Sequence, residues 1–383
     1  MTFDLQQYLL YWIIRLLVLL SFVVPGLWMS KRYNPERLYW IEVSPLIVIY
    51  SLAEGLRWNR ENDYYHYYQD LTGSMFHDSS EWFYSLWISF FKSTGLPFWV
   101  GFVFYSFILI VAFLCLIKRF PKTALFALPL FFIITSVQSE NLIRQYFALA
   151  FIIFAIAYYF DERYILMTVF LLISLGIHFS AVAPILFFII SIMAANRINT
   201  EKPIISVSLF VLLYWFWDVS YFTTIANSIL GIIPETGTRA DGYIQSATWF
   251  TAEGSIMMKE FGQVYGGRGI LRAIIEFPTY LFIIIGGFYA TKNDIKLRVC
   301  FWCAYIAILL DITRGDIESY LRIFQWIAFI ISIIIGAIYS KIQLSNNMKI
   351  ISLSLIFVYY GYMMMFCRML TIDPLGYAFI WDR

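Results

Sequence analysis

Apolar residues fill this chain in long runs, and the polar positions between them fall into two unlike groups. The runs cover 8 to 29, 38 to 54, 98 to 117, 123 to 138, 143 to 160, 164 to 178, 180 to 195, 203 to 218, 269 to 290, 297 to 312, 322 to 340 and 349 to 367. A bilayer core of about 30 Å takes roughly 20 helical residues, and backbone within hydrocarbon must satisfy its own hydrogen bonds. The pattern predicts an all-α polytopic membrane protein with about 11 to 12 transmembrane helices. The runs on either side of His178 are short and Pro184 follows the break, so that pair reads as two helices or as one re-entrant hairpin. Residues 8 to 29 have little basic leader and no small-residue cleavage pattern, which marks a first membrane helix and not a removed signal.

Composition closes off other classes. Of 383 residues, 61% are hydrophobic, 20% aromatic and only 14% charged, more apolar material than a soluble core absorbs. No polar stretch is large enough for a second domain, so residues 1–383 read as a single integral membrane domain with long outward loops at 55–97 and 219–268. The apolar segment Glu81 to Lys92 within the first loop is too short to span and is expected to lie at the interface. Residues 219–268, rich in Gly, Thr and charge, read either as a flap over a site or as an ordinary exposed loop. A net charge of +2 says nothing about partners, and with no Lys/Arg run with interleaved aromatics outside the helices no nucleic-acid partner is expected. Cys115, Cys300, Cys303 and Cys367 all sit in apolar runs and are expected to be packing residues.

Alternate loops set the orientation through their Lys and Arg content. One set, from Lys31 and Arg32 through Lys118, Arg119, Arg163 and Arg197 to Lys341 and Lys349, holds fourteen basic residues against five acidic ones. The opposite set reverses the balance, with twelve basic against nineteen acidic. The first set is expected to face the cytoplasm, and an even number of crossings places both termini outward.

The outward set concentrates the candidate chemistry. Glu54 to Asp70 carries Arg57, Arg60, Asp63 and His66 among tyrosines, whose flat apolar faces and polar edges suit sugar rings; an interfacial aromatic belt is the structural alternative. Glu140, Asn141, Arg144, Gln145 and Tyr146 open the fifth run, with Asn141 as N-cap and Arg144 in the first turn, where free N–H groups and the helix dipole favour an anion. An Arg144–Glu140 ion pair at i,i+4 is the competing reading. His178 interrupts an apolar stretch, where a polar side chain usually faces a cavity, or simply bonds to a neighbouring helix. Arg314, Asp316, Glu318 and Arg322 open the eleventh run, as an anion site or as an i,i+4 charge ladder. Arg268 and Arg272 begin the ninth.

Arginines thus open three helices on one side, the pattern expected for a multiply charged phosphate group. No DxD, clustered His/Cys set or Gly-rich phosphate loop is present, so no metal ligands and no cofactor are assigned and arginine is expected to supply the counter-charge.

At these residues the chain resembles the EpsG/Wzy-type family of bacterial polysaccharide polymerases. The resemblance rests on Arg57, Asp63, Tyr64 and Tyr67, then Glu81 with Phe83 and Leu86, Arg144-Gln145 with Ala148, His178-Phe-Ser180-Ala181 and a late Arg322. Order and spacing agree best over residues 50 to 195, and Asn62 stands where the family usually has a Gly before the Asp-Tyr pair. The resemblance implies a glycosyltransferase in the bacterial cytoplasmic (inner) membrane, working at its outer face. It would move a growing chain from its undecaprenyl diphosphate onto a lipid-linked repeat unit and release undecaprenyl diphosphate. Donor and acceptor lipids are the implied partners, with a chain-length regulator and a flippase beside them.

Residue chemistry fits such a transfer. Departure of a diphosphate builds negative charge that preorganised arginines stabilise, and the acceptor hydroxyl must lose a proton, for which His178, Asp63 or Glu140 are candidates. Arg144 and Arg322 are expected on the diphosphate with Arg314 in support. Arg57, Tyr64, Tyr67, Glu140, Gln145 and Glu318 complete the expected binding set. Two other classes stay open on the sequence: a lipid-linked saccharide flippase or transporter, and an O-antigen ligase, which shares the donor and differs in acceptor. A membrane acyltransferase is less favoured, since its His would need acyl-CoA from the cytoplasmic side.

Overall fold

In hydrocarbon an extended backbone has no water to bond, so each apolar run is driven to helix. A computed structural model describes residues 5–32, 39–60, 63–73, 81–198, 202–217, 270–313, 318–366 and 379–381. Every one of the twelve predicted runs falls on helix, and no strand occurs among the described residues. The chain is an all-α polytopic membrane protein. Seven helical segments among the described residues are long and apolar enough to cross a bilayer.

The helices are α1 (Leu5–Arg32), α2 (Tyr39–Gly55), α3 (Tyr64–Thr72), α4 (Trp82–Ser93), α5 (Phe98–Ile117), α6 (Ala124–Asn141) and α7 (Ile143–Phe160). They continue with α8 (Tyr164–Ile177), α9 (Val182–Arg197), α10 (Ile204–Phe216), α11 (Ile270–Thr291) and α12 (Ile295–Thr313). The last are α13 (Glu318–Ala328), α14 (Ile330–Lys341) and α15 (Asn346–Ile356), which runs on as π-helix over Phe357–Phe366. The break at His178 separates two helices, joined by a single 3₁₀ turn at Phe179–Ala181. The segment expected at the interface forms helix α4, while α3 is an extra helix inside the 55–97 loop. The loop at 219–268 lies outside the described residues.

Helix α7 sits at the centre, packed against α5, α6 and α8. Its Ala148, Ala150, Ala155 and Ala157 are fully buried, small residues that let neighbouring backbones approach where lipid gives no hydrophobic drive for association. The span Ile143–Phe160 is 78% buried, against 33% for Leu9–Lys31 and 28% for Phe179–Arg197. The outer helices therefore turn residues such as Val24, Leu172 and Ile190 to the lipid. Two basic-loop ion pairs, Arg119–Asp161 and Lys341–Asp294, mark one end of the bundle.

At the other end, one glycine decides how closely α4 can seat on α8. A Cβ on Gly176 would lie 2.6 Å from Trp82 Cε2 and 2.8 Å from Phe83 Cβ, whereas one on Gly361 would meet nothing closer than Phe357 at 3.5 Å. Gly176→Ala is expected to lower thermal stability in detergent by about 1 to 3 kcal/mol through overpacking, and Gly361→Ala to leave it nearly unchanged. Equal melting of the two variants would show that α4 is not seated this tightly.

Candidate functional site

Two polar assemblies share the end of the bundle opposite the basic-loop pairs. The first is sealed. Arg15 lies inside the span of α1 and pairs with both Glu54, at the end of α2, and Glu140, at the end of α6. From the segment after α2, Arg57 meets Glu54 at 3.1 Å and donates to the Glu140 carbonyl at 3.0 Å, while Arg60 Nε reaches Glu140 at 2.6 Å. The Arg60 guanidinium also covers the Tyr11 ring at 3.6 Å, a cation–π contact strengthened by exclusion of water. All five charged side chains are at most 4% exposed. Charges so deeply buried persist only when each is compensated, and here three cations and two anions interlock.

The second assembly is more open, and it stands on local breaks in the helices. Leu142, at φ −89° and ψ 49°, divides α6 from α7, and His178 ends α8 by turning extended, at φ −150° and ψ 115°. Ser174 Oγ ties α8 to α7 by donating to the Ala148 carbonyl at 2.9 Å. Glu81, the residue before α4, directs one carboxylate oxygen to Arg144 in the first turn of α7, at 2.5 Å, and the other to His178 Nδ1, at 3.1 Å. Gln145 donates to the Arg322 carbonyl at 2.8 Å, which docks the start of α13 onto α7. Trp326, one turn further on, lies 6.0 Å from the His178 ring.

Further groups surround Arg144. The Tyr84 ring lies 5.3 Å from its guanidinium, and the Tyr84 hydroxyl donates to Asp70 at 2.9 Å. Tyr67 adjoins Arg144 and feels the charge of Arg322; burial pushes its hydroxyl up to about 12, so it remains a donor at neutral pH. His178 is shifted below the ordinary histidine value. Burial is the main cause, with Arg144 and Arg322 pushing the same way and the Glu81 hydrogen bond opposing. The Arg144 and His178 side chains retain 19% and 16% exposure, so this assembly is the more exposed of the two.

The expected site residues divide between the two assemblies. Arg144, Gln145, His178, Arg322 and Tyr67 gather at the open one, and Asp63 joins its edge, its N–H donating to Asn141 Oδ1 at 3.2 Å. Arg57 and Glu140 belong to the sealed network. Tyr64 packs beside it, fully buried, stacked on Phe102 at 4.7 Å and donating to the Arg57 carbonyl at 2.9 Å. Arg314 and Arg268 lie outside the described residues, as do the side chains of Arg272 and Glu318. The i,i+4 pairing of Arg144 with Glu140 does not form, because the break at Leu142 takes the two residues off a common helix face. For the same reason Asn141 caps Asp63 and not α7.

Two participants were not anticipated. Arg15 carried a readable signal, a lone cation within an apolar run. Glu81 had none beyond its place in the resemblance, since its partner His178 is 97 positions away. Among the described residues no group of three or more His, Cys, Asp or Glu is arranged to hold a metal ion.

Fold and site together define a multi-pass membrane protein with an anion-compatible polar site at one end. The chain belongs to the EpsG family, whose model matches residues 43–375. Membership points to a polysaccharide-polymerase type of function and to glycosyltransferase-like chemistry. No curated protein and no solved structure matches the chain.

The sealed network predicts its own energetics. Glu140→Gln leaves Arg15 and Arg60 without their shared counter-charge and is expected to cost about 3 to 5 kcal/mol. Arg144→Ala, in the more open assembly, is expected to cost less. Thermal unfolding in detergent reads both; equal losses would overturn the distinction between sealed and open charge.

Proposed function

We propose that this protein polymerises undecaprenyl-diphosphate-linked oligosaccharide repeat units at the outer face of the bacterial cytoplasmic membrane, releasing undecaprenyl diphosphate. The observation that carries the reading is the convergence of Arg144 from α7 and Arg322 from α13 beside His178. Two guanidiniums from different helices suit a diphosphate, which arginine grips bidentately. A neutral imidazole beside them suits a hydroxyl that must lose its proton.

In the proposed reaction the acceptor sugar hydroxyl attacks the anomeric carbon of the donor chain. Its proton passes to His178, the bond from the anomeric carbon to the phosphate oxygen breaks, and the electron pair leaves with the diphosphate, held by Arg144 and Arg322. Asp63 and Tyr67 then orient sugar, and Arg314 and Glu318, near Arg322 in sequence, are assigned to the same substrate. Arginine supplies the counter-charge in this scheme. The outward assignment rests on the basic loops, which by the positive-inside rule face the cytoplasm.

Incubation of purified protein with synthetic lipid-diphosphate repeat units tests the reading. Polymer and free lipid diphosphate should appear together, and His178→Ala should lower the rate by about 10² to 10⁴, the usual contribution of a general base. Arg144→Ala should do likewise. Movement of lipid-linked sugar across vesicles without lengthening would favour a flippase instead, and transfer only to a different glycolipid acceptor would favour a ligase. Normally inserted Arg144→Ala and His178→Ala proteins that still make polymer of wild-type length would sink the proposal.

The pH dependence has a defined sign. A base works unprotonated, and His178 in the folded protein titrates below its ordinary 6.5. Activity should therefore hold as pH falls through 6.5 and decline only at lower pH, with the kcat/KM profile reporting the free enzyme. A limb at or above 6.5 would show that His178 is not the titrating base.

A further inference from the structure

We infer that Glu81 is the positioning residue of the proposed base: it holds His178 with the proton on Nδ1, so that Nε2 is the atom that takes the acceptor proton, and it ties that imidazole to the diphosphate-binding Arg144. The inference rests on the polymerase reading for its chemistry, while its geometric part stands alone. The two Glu81 oxygens serve different partners, Arg144 at 2.5 Å and His178 Nδ1 at 3.1 Å. An ionised carboxylate only accepts hydrogen bonds, and the Arg144 cation on the second oxygen keeps Glu81 ionised. The nitrogen facing it must then be the donor. In a neutral imidazole this leaves Nε2 with the lone pair, and the partner of one ring nitrogen thereby decides the role of the other.

Charged groups face the ring from each element packed on it: Glu81 from the start of α4, Arg144 from α7 and Arg322 from α13. Only Glu81 favours the protonated ring. Burial is the main influence against protonation, and the two arginines push the same way. A diphosphate seated on those arginines would offset their charge, leaving burial and Glu81 to oppose one another and making the base stronger once the donor is in place. When Nε2 takes the acceptor proton, the resulting imidazolium rests on the Glu81 carboxylate until the proton passes to water. Glu81 itself touches neither sugar nor phosphate in this arrangement. It is set there by α4, whose first turn lies on Gly176 just before His178.

The chain has three histidines, so His178 can be assigned in ¹⁵N spectra of the purified protein by comparison with His178→Ala. The wild type should show a protonated Nδ1 and an unprotonated Nε2 above the ring's pKa, and Glu81→Ala should populate the opposite tautomer. A wild-type ring protonated on Nε2, or an unchanged tautomer in Glu81→Ala, overturns the inference whatever the enzyme does. In the polymerisation assay Glu81→Ala should lose roughly 10- to 100-fold in kcat, less than loss of the base itself, and move the acid limb of the rate profile. Glu81→Asp, which keeps the charge, should recover part of the loss, and Glu81→Gln should not. Full activity in Glu81→Gln with an unmoved limb overturns the positioning role while leaving the polymerase reading intact. No polymerisation by wild type removes the polymerase reading and leaves the tautomer result to stand or fall by itself.

Discussion

Charge buried in an apolar bundle must be compensated, and the arrangement of this protein's polar end follows from how that is done. Arg15 enters hydrocarbon within α1 at a cost that only its partners Glu54 and Glu140 offset. Those partners stand at the ends of α2 and α6, and Arg57 and Arg60 bind the same carboxylates from the segment between α2 and α3. One network thereby joins α1, α2, the start of the 55–97 loop and the end of α6. The described residues near the C-terminus close onto it, with the Ile380 N–H donating to the Leu56 carbonyl at 3.0 Å and Phe379 pairing antiparallel with Arg57.

The consequence reaches the open site through Glu140. It ends α6, two residues before the break at Leu142 and four before Arg144. With Glu140 committed to Arg15 and Arg60, Arg144 is left to face Glu81, Tyr84 and Tyr67. Arginines at the same end of the molecule thus acquire opposite roles according to what neutralises them. Arg15, Arg57 and Arg60 are interlocked with buried carboxylates and serve the fold, whereas Arg144 shares its carboxylate with a histidine and is the one proposed to bind an anion. Proximity in sequence does not predict which is which, since Arg57 and Arg60 lie closer to Asp63 than Arg144 does.

This distinction also explains what the sequence could reveal. Helix positions were legible because apolar runs in a bilayer have one outcome; α3 was not, because Tyr64-Tyr-His-Tyr-Tyr-Gln-Asp-Leu-Thr72 is too polar overall to stand out as a run, although it buries Tyr64, Tyr67 and Leu71 at helical spacing and stacks Tyr64 on Phe102. Arg144, His178 and Arg322 were legible as polar interruptions at helix starts and breaks. Their convergence depended on chain orientation, which the basic loops supplied. The pairing of Arg144 with Glu140 was a sound local expectation that failed on a backbone break no residue preference announces, since Leu is an ordinary helix former. Arg57, Tyr64 and Glu140 were legible as polar or aromatic and misleading as to exposure, which only the packing decides.

A site of this kind gains its geometry from the rigidity of what carries it. Helix α7 is among the most buried spans and also presents Arg144 and Gln145 from its first turn. The His178 turn is fixed to the same helix by Ser174, and α13 by Gln145. Glu81 arrives separately, on a short helix seated against α8 at Gly176. Three supports therefore meet one central helix by single hydrogen bonds or a single ion pair, Ser174 and Arg322 from within α8 and α13 and Glu81 from the residue before α4. Such an arrangement keeps the charged atoms in register without a rigid cage around them and leaves Arg144 and His178 partly exposed, as the proposed entry and release of a lengthening chain would require.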